Sequence, residues 1–334
     1  MRLIQSISRL LIVPALLLLP SIAQAQTAGE QIGAESARLR QLLPTLKLAE
    51  DQVTAYNTAL TVIDNAVKTG NLFQAMTYLQ RSRVELMTFG YLKDHADLEK
   101  QGMAAFENEW TRVGRELAAK EKSLATNKTA TLPAAVRALI ESSLTQVQPY
   151  YQSGRLYAQN TTINSGLYYV GLALAHLDFA LFSQQLRFER PKPARKLKSI
   201  GPQIESLEQS AIKAFQDPNN ATKQRSFIVI NSSLKMAREL NAEKRYAGAL
   251  KCYLDALLEF GLVDAAVPDS ATVKSQAEAL RTRLNAAASD ETIGLTYLEI
   301  AVAAQSEAAL KRAGVIVQKV LPGYLKAQAE TQNE

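Results

Sequence analysis

Apolar residues along most of this chain recur at intervals of three and four, the spacing that gathers them on one face of an α-helix. From Asp51 onward, Val53, Tyr56, Leu60, Ile63 and Val67 fall at such steps until Gly70-Asn71 stops the run. Leu72, Ala75, Leu79 and Ser82 start another at once. Two helices joined by so short a turn must lie antiparallel, so residues 51–89 read as a helical hairpin closed by Phe89-Gly90. Tyr91 to Leu124 reads as one long polar helix with Leu98, Phe106, Trp110, Val113 and Leu117 inward. Pro133 suits the opening of a further helix to about Gln159, kinked at Pro149 rather than broken there. Residues 161–188 are apolar round most of the cylinder, as in a helix at the middle of a bundle or solenoid. Asn164, His176, Asp178, Gln184 and Gln185 interrupt or flank that run with groups that lipid would penalise, which argues against a membrane span.

The second half repeats the theme. Upstream, Pro44 bends or divides a first stripe carried by Leu39, Leu42, Leu43 and Leu46. Beyond the Pro-containing stretch Arg187–Lys198, Pro202 opens a helix through Ile204, Leu207 and Ile212, stopped by Asp217-Pro218-Asn219-Asn220. Thr222–Leu240 and Glu243–Phe260 form a pair, and Val273, Ala277, Leu280 and Leu284 mark another helix. Ser289-Asp290 caps a run from Ile293 to Leu310, Gly314 permits a turn, and Val315–Ala327 is a last helix bent at Pro322-Gly323. Phe227–Ile230 is rich in strand formers but is four residues long between helix formers, too little to found a sheet. The pattern predicts an all-α chain of antiparallel helix pairs, arranged as a solenoid or a multi-helix bundle.

Residues 230–261 are the most informative. Tyr246, Ala249, Tyr253 and Ala256 share one helical face and put small residues where a neighbouring helix can approach closely, while Met236, Ala237 and Leu240 of the preceding helix offer the same seam. This pair resembles a tetratricopeptide-type repeat, whose second helix alternates aromatic and alanine residues at this spacing. It departs from that pattern at Ser233, Met236, Ala237 and Leu240 of the first helix, and at Gly261, where a proline is usual. The resemblance covers about a tenth of the chain and implies architecture, a TPR-like right-handed solenoid, without an activity. Val170, Ala173, Leu177 and Ala180 show a similar order of apolar residue and alanine. The expected division is a secretory leader at 1–25, a helical region at 26–186, a basic connector at 187–201 and a TPR-like helical region at 202–330.

The leader changes the setting. Arg2 and Arg9 precede an apolar run from Leu10 to Leu19, and Ala23-Gln-Ala25 presents small residues where a signal peptidase reads. The run is shorter than the roughly 20 residues a spanning helix needs. Soluble export, best matched by a bacterial periplasm, is the expectation. Without Arg2 and Arg9 the chain carries 36 Lys and Arg against 32 Asp and Glu, a mild balance unlike the concentrated basic character of a nucleic-acid binder. The lone cysteine, Cys252, cannot form an internal disulfide, so it reads as a packed small hydrophobe and the core must hold the fold alone.

Candidate chemistry is sparse. His95 sits in a solvated Lys93-Asp94-His95 segment and His176 among apolar residues, and neither has a sequence neighbour positioned as a catalytic partner. Zinc-ligand clusters, Cys-x-x-Cys-His haem attachment, Gly-x-Ser-x-Gly elbows and phosphate-binding glycine loops are missing from the sequence. Glu107 with Glu109, and Glu205 with Glu208, read as exposed helix charges. No catalytic residue, metal or cofactor is assigned, and an enzyme is disfavoured. Asn127, Asn160, Asn220 and Asn231 match the glycosylation pattern, which matters only in a host that uses it.

Two surfaces remain. Tyr150, Tyr151, Tyr157, Tyr168 and Tyr169 crowd twenty residues and offer rigid amphipathic area to a peptide or saccharide. Arg187, Arg190, Lys192, Arg195, Lys196 and Lys198, opposed by Glu189 alone, suit an anionic envelope polymer, lipid surface or acidic protein. The function expected from this is an exported helical-repeat scaffold or adaptor for a protein or peptide partner in the cell envelope. The alternative is a periplasmic ligand-binding protein or cell-wall-acting enzyme with an acidic site. Mass analysis of the N-terminus after cell fractionation checks the setting: a soluble product beginning at Gln26 is expected, and a full-length product in the inner membrane contradicts it.

Overall fold

The computed structural model describes residues 26–124, 129, 131–188, 197–215, 221–286 and 291–330. The leader, the middle of the basic connector, the Asp217–Asn220 turn and the Ser289-Asp290 cap lie outside the described residues. Within them the chain is all α-helix, without a β-sheet. The helices are α1 (Ala28–Leu42), α2 (Glu50–Lys68), α3 (Leu72–Asp94), the single turn α4 (Leu98–Gln101) and α5 (Met103–Glu121). They continue with α6 (Ala134–Asn160), α7 (Ile163–Gln184), α8 (Gly201–Ala214), α9 (Ala221–Ala242), α10 (Tyr246–Leu262) and α11 (Ser270–Ala286). The chain finishes with α12 (Thr292–Val302), α13 (Glu307–Val315) and α14 (Leu321–Glu330).

The antiparallel α6–α7 hairpin is the centre. Its helices approach so closely near the Thr161-Thr162 turn that a Cβ on Gly154 would lie 2.6 Å from Val170, and one on Gly166 2.5 Å from the Ala158 Cβ, so glycine is required at both crossings. The Pro149 prediction of no full break is met, since α6 runs through it. Among the described residues α7 alone is long and apolar enough to cross a membrane, yet 61% of its most apolar window is buried inside the protein. It is a core helix, packed between α3 and α6.

Two hairpins flank this centre with their second helices inward: α2–α3 docks α3 on α7, and α9–α10 docks α10 on α6. Their turns have one geometry. Gly70 and Lys244 take positive φ of 77° and 61°, and the next amide bonds back five residues, Asn71 to Ala66 and Arg245 to Leu240, each at 2.8 Å. This satisfies carbonyls that a helix end would leave open. The matching positions Ala75, Met76, Leu79 and Ser82 of α3, and Ala249, Leu250, Tyr253 and Ala256 of α10, are all buried. Tyr246, the first position of α10, is half-buried.

Neither flanking helix has a side-chain cap of its own; each is capped from a distant helix. The Glu141 carboxylate of α6 accepts the Gly248 N–H at 2.6 Å, in the first turn of α10. Glu299 of α12 accepts the Gln74 N–H at 2.7 Å, in the first turn of α3. Thr292 accepts the Ala135 N–H at 3.0 Å, at the start of α6. Gly248 has to be glycine, because a Cβ there would lie 2.8 Å from the Glu141 Cβ. Such charge-assisted bonds contribute about 1.5–3 kcal/mol each, in the direction the helix dipole favours. Burial works against them. It raises the Glu141 pKa and lifts Glu299 to about 7, although backbone N–H groups of Gln74 and Phe73 pull Glu299 the other way.

Several sequence-based boundaries need correction. The helix expected from Tyr91 to Leu124 is not continuous, and Phe89-Gly90 does not end its predecessor. A Cβ at Gly90 would meet the Leu46 side chain at an ordinary 4.0 Å and α3 continues to Asp94, whereas Gly102, at φ 83°, makes the break before α5. Pro44 divides rather than bends, sitting in a 3-10 turn, Leu43–Thr45. The run from Ile293 ends at Val302, and Ser306 caps α13 afresh. Gly314 makes no turn, for it is buried inside α13 against Pro268, and a π-helical turn, Ile316–Val320, leads into α14.

Two stability measurements follow. Ala249 is fully buried, so Ala249→Leu should cost about 1–3 kcal/mol by overpacking, read as earlier thermal unfolding by circular dichroism. For Glu299 burial lifts the folded pKa to about 7 from an ordinary value of 4.5, so the folded state holds the extra proton and stability falls as pH rises from about 4.5 to 7. The melting temperature of the wild type should therefore drop relative to Glu299→Gln between pH 5 and pH 8, and parallel curves would contradict the sign.

Candidate functional site

A cleft of about 350 Å³ opens where the α6–α7 centre meets both flanking hairpins. Five helices build it. Gln80, Arg81 and Glu85 come from α3, Ser142, Gln146 and Tyr150 from α6, and Tyr168 and His176 from α7. Ser233 and Met236 of α9 face them, with Lys251, Cys252 and Asp255 of α10. Three- and four-residue steps relate Arg81 to Glu85, Ser142 to Gln146 and Tyr150, Ser233 to Met236 and Lys251 to Asp255, the same periodicity that forms the core stripe.

One wall is aromatic. Tyr157 stacks on Tyr169 with ring centroids 4.3 Å apart, Tyr169 lies 6.0 Å from Tyr150, and Tyr150 stacks on His176 at 5.4 Å. Tyr168 meets Tyr169 edge-on at 5.7 Å. The series runs from Tyr157, 39% exposed, into the cleft. The Tyr157 hydroxyl beside Tyr169 pushes the Tyr169 pKa up to about 12. Tyr151 is not part of this group. It is buried, stacks on Trp110 at 4.5 Å and donates to the Trp110 carbonyl at 2.9 Å, while the Trp110 indole returns a bond to the Tyr151 carbonyl.

The floor is polar and paired. Lys251 donates to Asp255 at 2.6 Å, and the Tyr297 hydroxyl donates to the other Asp255 oxygen at 2.7 Å. Burial works against the Lys251 charge, but Asp255 more than offsets it and the amine stays above its ordinary pKa. Lys251 and Asp255 also line a small cavity of about 60 Å³ on their far side, against Tyr297 and Arg312. Cys252 is buried, as expected, and burial pushes its thiol up to about 12. At the rim Arg81 pairs with Glu85 at 3.2 Å, and Tyr56 donates to Glu85 at 2.7 Å. His176 differs from all of these. Burial lowers its pKa to about 4, so the ring is neutral at physiological pH, and its buried Nδ1 has no hydrogen-bond partner.

A second cavity, about 310 Å³, lies between α1, α3, α5 and α7. Several charges in and around it are paired. Glu109 accepts from Tyr91 and Arg112, both at 2.7 Å, and Lys120 bridges Glu116 and Asp178. Two readings from the sequence are corrected here. His95 is not solvated but stacks on Tyr91, with Nε2 3.1 Å from Glu109, and Glu109 is a nearly buried anchor, its side chain 11% exposed.

Of the basic connector, Arg187 and Lys198 are exposed, and Arg190, Lys192, Arg195 and Lys196 lie outside the described residues. His176, Gln80, Gln146 and the Lys251–Asp255 pair were missed as site residues by sequence reasoning. The signal for the pair was its i, i+4 spacing on α10; the others carry none until the helices are assembled. Among the described residues no group of three or more His, Cys, Asp or Glu is placed to hold a metal ion. The two carboxylates with raised pKa, Glu141 and Glu299, cap helices and do not line this cleft. The chain matches no family model, no curated protein and no solved structure.

Proposed function

We propose that this chain is an exported helical scaffold, of TPR-like solenoid organisation, that holds a protein or peptide partner in the cell envelope. One observation carries the reading: large apolar side chains stand exposed on two of the helices that border the cleft. Leu156 is 58% and Tyr157 39% exposed on α6; Ile228 is 65% and Val229 41% exposed on α9. They lie on the same helices as the cleft residues Tyr150, Ser233 and Met236, at positions outside the cleft. Apolar residues concentrated on neighbouring elements, rimmed by polar ones, characterise docking surfaces. Exposed Arg187 and Lys198, at the ends of the basic connector, favour an anionic envelope surface as a second contact.

A second reading, a periplasmic ligand-binding protein, is favoured by the cleft itself, where polar groups converge beside an aromatic wall. Site-specific photo-crosslinking in the native envelope tests the scaffold. Crosslinkers at Leu156 and Ile228 should capture the same partner, and one at exposed Lys68, on the α2–α3 turn, should not. Leu156→Asp should reduce capture from Ile228 at least tenfold without altering the helical spectrum. Equal capture from all three positions would contradict the assignment of this face.

A further inference from the structure

The cleft holds a combination that neither the core nor a protein-docking surface requires. Its charges are balanced and paired in place, Arg81 with Glu85 and Lys251 with Asp255, so it offers an incoming ligand no net charge. Its uncharged polar groups are rich in acceptors. The Gln80 amide N–H donates to Ser143 at 2.8 Å and the Gln146 amide N–H to the Met236 sulfur, which leaves both amide oxygens as acceptors. The Ser142 hydroxyl donates to the Leu139 carbonyl of its own helix at 3.1 Å, leaving oxygen lone pairs. His176 lines the cleft with a buried nitrogen that has no partner, an arrangement that costs about 1–3 kcal/mol unless something supplies the bond.

We propose that this cleft is a binding subsite for a neutral saccharide, a polyhydroxylated ring lying along the Tyr150–His176 wall with its hydroxyls on Gln80, Gln146 and Ser142. Each property of the cleft selects for that chemistry. A charged ligand would leave its charge unpaired in a site whose own charges are already neutralised. An apolar or aromatic side chain would bury the acceptors without donors for them, and a peptide backbone brings only one donor per residue. A sugar ring brings several hydroxyls, each both donor and acceptor, so it satisfies the lone pairs of the amides and of Ser142 together with either tautomer of His176. Its flat C–H faces match the tyrosine rings, which supply apolar area at small entropic cost. A volume of about 350 Å³ suits a mono- or disaccharide. The cleft is lined by residues other than the four apolar ones of the proposed protein contact, so one scaffold would hold an envelope glycan and a protein on adjoining surfaces.

Isothermal titration calorimetry of the mature protein with glucose, mannose, galactose, N-acetylglucosamine and its β-1,4-linked disaccharide tests this, with the blocked tripeptide Gly-Tyr-Gly as comparison. At least one saccharide should bind with a Kd of about 1 mM or tighter, and the tripeptide should not. His176→Phe keeps a ring against Tyr150 and removes the nitrogen; Gln146→Leu keeps the volume and removes the acceptor. Each should weaken saccharide binding at least tenfold while the circular dichroism spectrum stays unchanged, and either variant suffices if the other fails to fold. Binding of the tripeptide alone, no binding of any saccharide at 50-fold that concentration, or saccharide binding unaffected by both variants would overturn the proposal.

Discussion

The start of an α-helix leaves amide groups without intrahelical acceptors, and in this fold two of the most important starts are completed from a distance. Glu141 reaches the first turn of α10 across 107 residues of sequence, and Glu299 reaches the first turn of α3 across 225. These are the two helices that bring their flanking hairpins against the centre. A carboxylate so placed sets position along the helix axis as well as distance, which ridges packing into grooves define less sharply. Burial raises both carboxylates, so the joints are held at an electrostatic cost that the backbone donors offset only in part. Gly248, whose missing side chain admits Glu141, is part of the same device.

The cleft is a consequence of that arrangement. Helix α6 contributes Ala134, Ala135 and Ala138 to the core shared with the C-terminal helices, Leu139 to the core of α1–α3, and Val147, Tyr151 and Ala158 to the core with α5 and α7. Val136 and Ile140 join Leu132 and Ala180 in a fourth core, and with one helix committed to four cores, Ser142, Gln146 and Tyr150 are left to line the cleft. The same geometry sends Tyr150 and Tyr151 apart. Adjacent residues on a helix are turned by about 100°, so one lines the cleft and its neighbour packs on Trp110. A cluster of tyrosines in sequence thus becomes a wall and a core contact.

What could be read from the residues alone was whatever depends on local spacing. The stripes of α2, α3, α9 and α10, the Gly70-Asn71 turn and the burial of Ala249, Tyr253, Ala256 and Cys252 all follow from periodicities of three and four. The break at Gly102 was not legible, because glycine at positive φ and glycine inside a helix are the same letter, and Gly90 and Gly102 fell on opposite sides of that distinction. Nor were the roles of Glu141, Glu299 and Glu109, which read as ordinary helix charges until their distant partners are assembled. His176 was legible as a histidine on an apolar helix; its unpartnered nitrogen belongs to the packing of α7 against α6.

The long-range caps can be observed directly by residue-resolved amide hydrogen exchange. Gly248 and Gln74 are each the third residue of a helix, where an amide has no partner within its own helix and exchanges readily. With Glu141 and Glu299 as acceptors, both amides should be protected to the level of mid-helix amides of α10 and α3. Glu141→Ala should release Gly248 and leave Gln74 protected, and Glu299→Ala should release Gln74, with its neighbour Phe73, and leave Gly248 protected. Fast exchange of both amides in the wild-type protein would contradict the joints on which this account of the fold and its cleft depends.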